Sequence, residues 1–158
     1  MVLKYAETKE RARPMDGVKH SIPISSIDDL QTLNGVLHDG PIILDERRYN
    51  AEAGVAEFTV WVECPERGRR GRLRLFRRSV FRKALLRLHG VAGIEIRADA
   101  PIARPLIDRV DYDASAGVVC ISCCEPTVIV VRADRLQGEL LVFDETDDRI
   151  ADVWTLGW

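Results

Sequence analysis

Two eleven-residue stretches, DERRYNAEAGV from Asp45 to Val55 and DRVDYDASAGV from Asp108 to Val118, share Asp, Tyr, Ala, Ala, Gly and Val at a constant offset of 63 residues. In each, a tyrosine and then Asn or Asp lead into a glycine, the order of a tight turn whose glycine takes a positive φ that a Cβ disfavours. Strand-like runs flank both copies: PIILDERRY and VAEFTVWVEC around the first, PLIDRVDY and VVCISCC around the second. Either a duplicated β unit or two independent uses of the same turn chemistry explains the echo. Both require antiparallel hairpins.

Further strand candidates are RLRLF, GIEIRA, TVIVV and ELLVF, where β-branched or alternating apolar residues dominate. SVFRKALLRLHG fits two periods. Phe81, Ala84, Leu85 and Leu88 suit a helix between Ser79 and Gly90, and Ala84, Leu86 and Leu88 suit one strand face. Its strand-like neighbours favour the second.

One helix stands apart. In SSIDDLQTLNGVLHDG, Ser26 can cap, Asp28 and Asp29 complement the dipole of the first turn, and Ile27, Leu30 and Leu33 recur at helical spacing. Asn34 and Gly35 are expected to end it. The fold class is therefore mainly β (α+β): an antiparallel hairpin meander forming a sandwich or a strongly bent sheet, with one short N-terminal helix. At 158 residues one domain is expected. Residues 1–23 read as a loosely ordered arm or an edge element, and 24–158 as a single β-rich domain, with half-repeats at about 40–98 and 104–143 if the echo is a duplication.

No secretory signal or apolar run of about 18 residues stands out, which suggests a cytoplasmic protein without a membrane span. Cys64, Cys120, Cys123 and Cys124 do not form the spread pattern of a disulfide framework. Cys120-Ile-Ser-Cys123 has the spacing of a zinc half-site or redox dithiol. It lies in an apolar strand, however, where Cys120 points with Ser122 and Cys124 and away from Cys123, and a second ligand pair is missing. Buried packing is the plainer reading, so no metal and no cofactor are expected.

His38 and Asp39 follow the helix. An adjacent carboxylate can make histidine a general base, but no flanking nucleophile or oxyanion motif accompanies the pair. The alternative is that Asp39 and Gly40 make a turn while His38 seals the helix end.

The helix running into Leu37-His38-Asp39, an apolar strand and a Tyr-containing hairpin resembles small bacterial α+β proteins, some of them immunity-protein-like. The resemblance covers Ile27 to Val62 and implies a binding protein without catalysis. It fixes no partner.

The formal net charge of −2 conceals an asymmetry. Ten of the 23 Lys and Arg residues fall between Arg67 and Ile94 without one Asp or Glu, so 13 basic and 25 acidic groups share the rest of the chain. Arg72 and Arg74 share one face of RLRLF. Arg67, Arg69, Arg70, Arg77 and Arg78 would prolong the stripe, and segment 67–83 could follow a nucleic acid or other polyanion. Against this, the pI is about 5.9 and aromatic residues are scarce. The acidic FDETDDRIAD, with Asp144, Glu145, Asp147, Asp148 and Asp152, could instead lie across the basic strand in the same molecule or in a symmetric partner. The C-terminal IADVWTLGW carries Ile150, Val153, Trp154, Leu156 and Trp158 and must bury against the sheet or a second subunit.

The expected function is a non-enzymatic protein-interaction domain, with a protein partner or a homodimer, using the basic segment as a recognition surface. Nucleic-acid or polyanion binding through the same arginines is the alternative, and a metal- or thiol-dependent enzyme the third.

Overall fold

The computed structural model describes residues 2–4, 17–64, 81–99, 103–124 and 126–147. In chain order they form β1 (Val2–Lys4), β2 (Val18–Ile24), α1 (Ile27–Leu37), β3 (Ile42–Asn50), β4 (Val55–Glu63), β5 (Phe81–His89), β6 (Val91–Ala98), β7 (Ile107–Asp113), β8 (Val118–Cys123), β9 (Thr127–Ala133) and β10 (Gly138–Asp147). The fold is mainly β, with two antiparallel five-stranded sheets. Sheet A runs β1-β6-β9-β8-β7 and sheet B runs β2-β10-β5-β4-β3. Neither closes into a barrel. Among the described residues no helix is long and apolar enough to cross a membrane.

The two orders correspond place by place. Each sheet has an edge hairpin (β3-β4 or β7-β8), a third strand (β5 or β9) and a fourth that comes from the other half of the chain. β6 follows β5 but joins sheet A; β10 follows β9 but joins sheet B. Neither 40–98 nor 104–143 therefore builds a sheet alone. The echoed turns sit in equivalent places, with Gly54 at φ 60° and Gly117 at φ 62°. The Tyr49 hydroxyl donates to the Val91 carbonyl, and the Tyr112 hydroxyl to the Asp134 carbonyl.

Alternation produces the core. Ala56, Phe58, Val60 and Val62 of β4, Ala84, Leu86 and Leu88 of β5, Leu140 and Val142 of β10, Val119 and Ile121 of β8, Ile129 and Val131 of β9, and Ile96 of β6 belong to one buried cluster between the sheets. The segment that fitted two periods is strand β5. Its pairing with β4 from Val55↔His89 to Glu63↔Phe81 and with β10 on the other side supplies the ladder that fixes the choice. Within the expected arm of residues 1–23, Val2–Lys4 pairs with β6 and β2 pairs with β10, each at a sheet edge.

Helix α1 begins as expected, with Ser26 and Asp29 forming a reciprocal capping box. It does not stop at Asn34-Gly35 but runs to Leu37. The tertiary contacts override the two poor helix formers, since Leu37 is buried and Asn34 is held by β7. Leu30, Leu33 and Leu37 face the core, whereas Ile27 is 65% exposed. Each three-residue step falls about 60° short of a full turn, so the apolar stripe has drifted toward solvent by Ile27.

The helix and its exit close one side of the sandwich. Ile42 and Leu44 donate to the carbonyls of Pro105 and Ala103, and Ile107 donates to Gly40 and accepts from Asp39. The approach to β7 is thereby stitched to the start of β3.

Candidate interaction surfaces

His38 and Asp39 belong to this closure. The His38 ring nitrogen Nδ1 is 3.1 Å from the Asp108 carbonyl, and its Nε2 is 3.7 Å from Asp39 Oδ2, with both side chains largely exposed. Asp39 adopts φ 61° and its N–H donates to Ile107. These bonds place the pair in the turn between α1 and β3 and tie it to β7.

The cysteines separate as strand geometry demands. Cys123 packs toward the core, Cys120 is half-buried on the outer face of sheet A, Cys64 is buried, and Cys124 is exposed. Packing thus does not extend to Cys124, which lies just past the last residue of β8. Among the described residues no group of three or more His, Cys, Asp or Glu is placed to hold a metal ion.

Of the basic stretch, Arg67, Arg69, Arg70, Arg72, Arg74, Arg77 and Arg78 lie outside the described residues, as does the tail 148–158. The end of the stretch is visible on β5. Lys83 Nζ is 3.5 Å from Glu145, and Arg82, 5% exposed, has an Nη 3.9 Å from Asp144, to which Lys19 also extends at 4.0 Å. At these residues the acidic run on β10 does lie beside the basic strand. Among the described residues the Arg82 Nε has no hydrogen-bond partner.

Farther along β5, Arg87 lies between two carboxylates from the neighbouring strands, Glu57 at 2.8 Å and Glu139 at 2.9 Å. Glu57↔Arg87↔Glu139 is one cross-strand row on the outer face of sheet B. Burial opposes the charge on Arg87, and hydrogen bonds and attraction from Glu57 and then Glu139 outweigh it, raising the guanidinium above its ordinary value. The next row, Ile43↔Thr59↔Leu85↔Leu141, is no more than 6% exposed at any of the four. The centre of this outer face is therefore buried.

The outer face of sheet A is open. Strand register there produces two parallel rows: Asp111↔Cys120↔Val130↔Glu95 and Arg109↔Ser122↔Val128↔Arg97. Each row has two small uncharged residues in the middle. Over these four strands the first row has Asp111 and Glu95 outermost and the second Arg109 and Arg97; β1 continues them with Lys4 beside Glu95 and Val2 beside Arg97, and Arg132 lies 3.9 Å from Glu95. Within strands the rows are tied by Arg97 Nε to Glu95 Oε1 and by Arg109 Nε to Asp111 Oδ1, both 2.8 Å. The Glu95 hydrogen bond and charge raise the Arg97 pKa. Side chains of Arg97, Arg109 and Asp111 are 59%, 65% and 47% exposed, and that of Glu95 is 18% exposed. Cys120, Ser122 and Val128 are half-buried, and Val130 is 8% exposed.

Periodicity assigns these residues to outward faces, but it does not bring four strands into register. The rows are accordingly invisible in the sequence, and only the Cys120/Ser122 pairing of direction was legible. No protein-family profile matches this chain, and no curated protein or solved structure matches it either.

Proposed function

We propose that this chain is a non-enzymatic protein-interaction domain that docks through the outer face of sheet A. The supporting observation is the contrast between the two outer faces. The outer face of sheet B has a buried row at its centre, while sheet A presents small uncharged side chains flanked by the exposed Arg97, Arg109, Asp111 and Arg132, the arrangement of a binding patch with a polar rim. The shifted ionisable groups among the described residues are explained by a helix cap at Asp29, a turn at Asp113 and ion pairs at Arg87 and Arg97. Each of these shifts has a local structural cause. The engagement of Arg82 and Lys83 by Asp144 and Glu145 favours charge matching over a polyanion groove at that end of the basic stretch.

Val128→Arg tests the proposal. Position 128 points outward, so the substitution should move the melting temperature by no more than about 2 °C. In native cell extract, the complexes that wild type forms should disappear for the variant. Identical complexes for both proteins would overturn the docking role of this face.

A further inference from the structure

We propose that Arg82 and Lys19 form a binding site for a small free carboxylate, with Asp144 holding the ligand's place until it arrives. Arg82 alternates on β5 with Ala84, Leu86 and Leu88 of the core cluster and stands in register with Val62, another core residue, so it points between the sheets. It lies at the end of β5 remote from the Gly54 and Gly90 turns, and there it is 5% exposed. A guanidinium so placed is among the costliest groups to leave unsatisfied. Among the described residues its Nε has no hydrogen-bond partner, and its Nη1 is 3.9 Å from Asp144 Oδ1.

β10 is shaped to this arrangement. Val142 pairs with Ala84 and Thr146 with Arg82, so four residues of β10 pass two of β5, and the register against β2 slips at the same place. Bulges of this kind re-aim side chains and recur beside functional sites. This one carries Asp144, whose N–H donates to the Gly17 carbonyl and whose Oδ1 is 4.0 Å from Lys19 Nζ on β2. Both cations thus lie within 4.0 Å of one carboxylate oxygen, and neither contact is short enough for a hydrogen bond. The Asp144 side chain is 74% exposed and can turn out to water. A carboxylate entering in its place would accept from the free Nε edge of Arg82 and from Lys19 at about 2.8 Å.

Charge decides the class of ligand. Among the described residues at the site, Arg82 and Lys19 outnumber Asp144 by one. Lys83 and Glu145 pair with each other at 3.5 Å, Glu63 and Asp147 are in register with Phe81, which packs on the outer face, and His20, in register with Val142, adds no negative charge. One monoanion neutralises the surplus, whereas a phosphate dianion overshoots it. The burial of Arg82 favours a small molecule over the side chain of a folded partner or a polyanion. The site is separate from the outer face of sheet A and does not depend on its docking role.

The test is an NMR titration of the full chain with sodium acetate, exchanged for chloride at constant ionic strength. It follows the Arg82 Nε–H resonance, identified by its loss in Arg82→Met. A saturable shift is expected, with a dissociation constant on the order of millimolar. Lys19→Met should weaken binding at least about fivefold, and Asp144→Asn, which removes the competing carboxylate, should tighten it about fivefold. Without acetate, Arg82→Met should melt higher than wild type, because an apolar side chain of similar length replaces an unsatisfied charge. Acetate should raise the melting temperature of wild type and leave that of Arg82→Met unmoved. If Arg82→Met does not fold, Arg82→Lys identifies the resonance and the other two variants carry the test. No saturable shift up to about 100 mM acetate would overturn the site. So would a lower melting temperature for folded Arg82→Met, which would make Arg82 a structural ion pair. Tighter binding of inorganic phosphate than of acetate would overturn the carboxylate assignment, and unchanged affinity in Asp144→Asn would overturn the place-holding role of Asp144.

Discussion

The side chain of Asn34 makes both of its hydrogen bonds to the backbone of a single residue, Val110. Its Nδ2 donates to the Val110 carbonyl at 2.9 Å, and its Oδ1 accepts from the Val110 N–H at 2.7 Å. One amide thus reproduces the donor and acceptor pair that a neighbouring strand would offer. β7 is the edge of sheet A, and α1 lies along it, with His38 and Asp39 continuing the cover to Asp108 and Ile107. A helix occupies the place where another chain's strand could add, which is one way native sheets avoid edge pairing.

Asn34→Ala should destabilise the protein by about 2–3 kcal/mol, because Val110 is 2% exposed and would keep a buried N–H and carbonyl without partners. Chemical denaturation measures the loss. The same variant should aggregate faster near its melting temperature, since the β7 edge is uncovered. Asn34→Asp retains the acceptor for the N–H but sets a carboxylate oxygen against the Val110 carbonyl, and should be no better than alanine at neutral pH.

Removing Arg87 should be more damaging than removing either of its acidic partners. Glu57 has a side chain only 10% exposed and that of Glu139 is 27% exposed. Arg87→Met should lower stability by ~2–3 kcal/mol, somewhat below the ~3–5 kcal/mol of a fully buried broken pair. A double-mutant cycle should assign the larger coupling to Glu57–Arg87, the more buried of the two. Equal couplings would show that burial does not set their strength here.

Two glycines near one another in sequence should respond with opposite sign. Gly35 lies inside α1 with open space where a Cβ would go, so Gly35→Ala should stabilise by ~0.5–1 kcal/mol through helix propensity. At Gly40 a Cβ would overlap the Trp61 carbonyl oxygen, which is backbone and cannot step aside. Gly40→Ala should therefore cost about 1–3 kcal/mol, as overpacking does. Thermal unfolding of the two variants beside wild type decides the matter.

The carboxylate of Asp113 holds the second echoed turn. It accepts from the Ser115 hydroxyl and from the N–H groups of Ala116 and Ser115, and these bonds hold its pKa below the ordinary 3.8. A depressed folded-state pKa contributes stability that is present above 3.8 and is lost as pH falls through the lower, folded value. The difference in melting temperature between wild type and Asp113→Ala should accordingly be constant near neutrality and shrink below about pH 4. A gap that stays constant to pH 2 would mean that the carboxyl holds the turn equally well when protonated.

Local chemistry determined much of this protein. The Ser26 cap, the two positive-φ glycines at matching turns, and the strand character of β4 and β8 depend on residues close in the chain, and all were legible in the sequence. The reach of α1 past Asn34-Gly35 was not, because propensity there is overruled by contacts with β7, about 76 residues away. Nor was the exchange of β6 and β10 between the sheets, or the alignment of Glu95, Val130, Cys120 and Asp111 in one row. A strand's own period of two fixes which face each residue takes. Register against distant strands depends on pairing across the whole sheet, and a single strand does not encode it. The sequence by itself thus determined the elements and their faces, and the tertiary structure decided which faces stay open and which charges stand opposite one another.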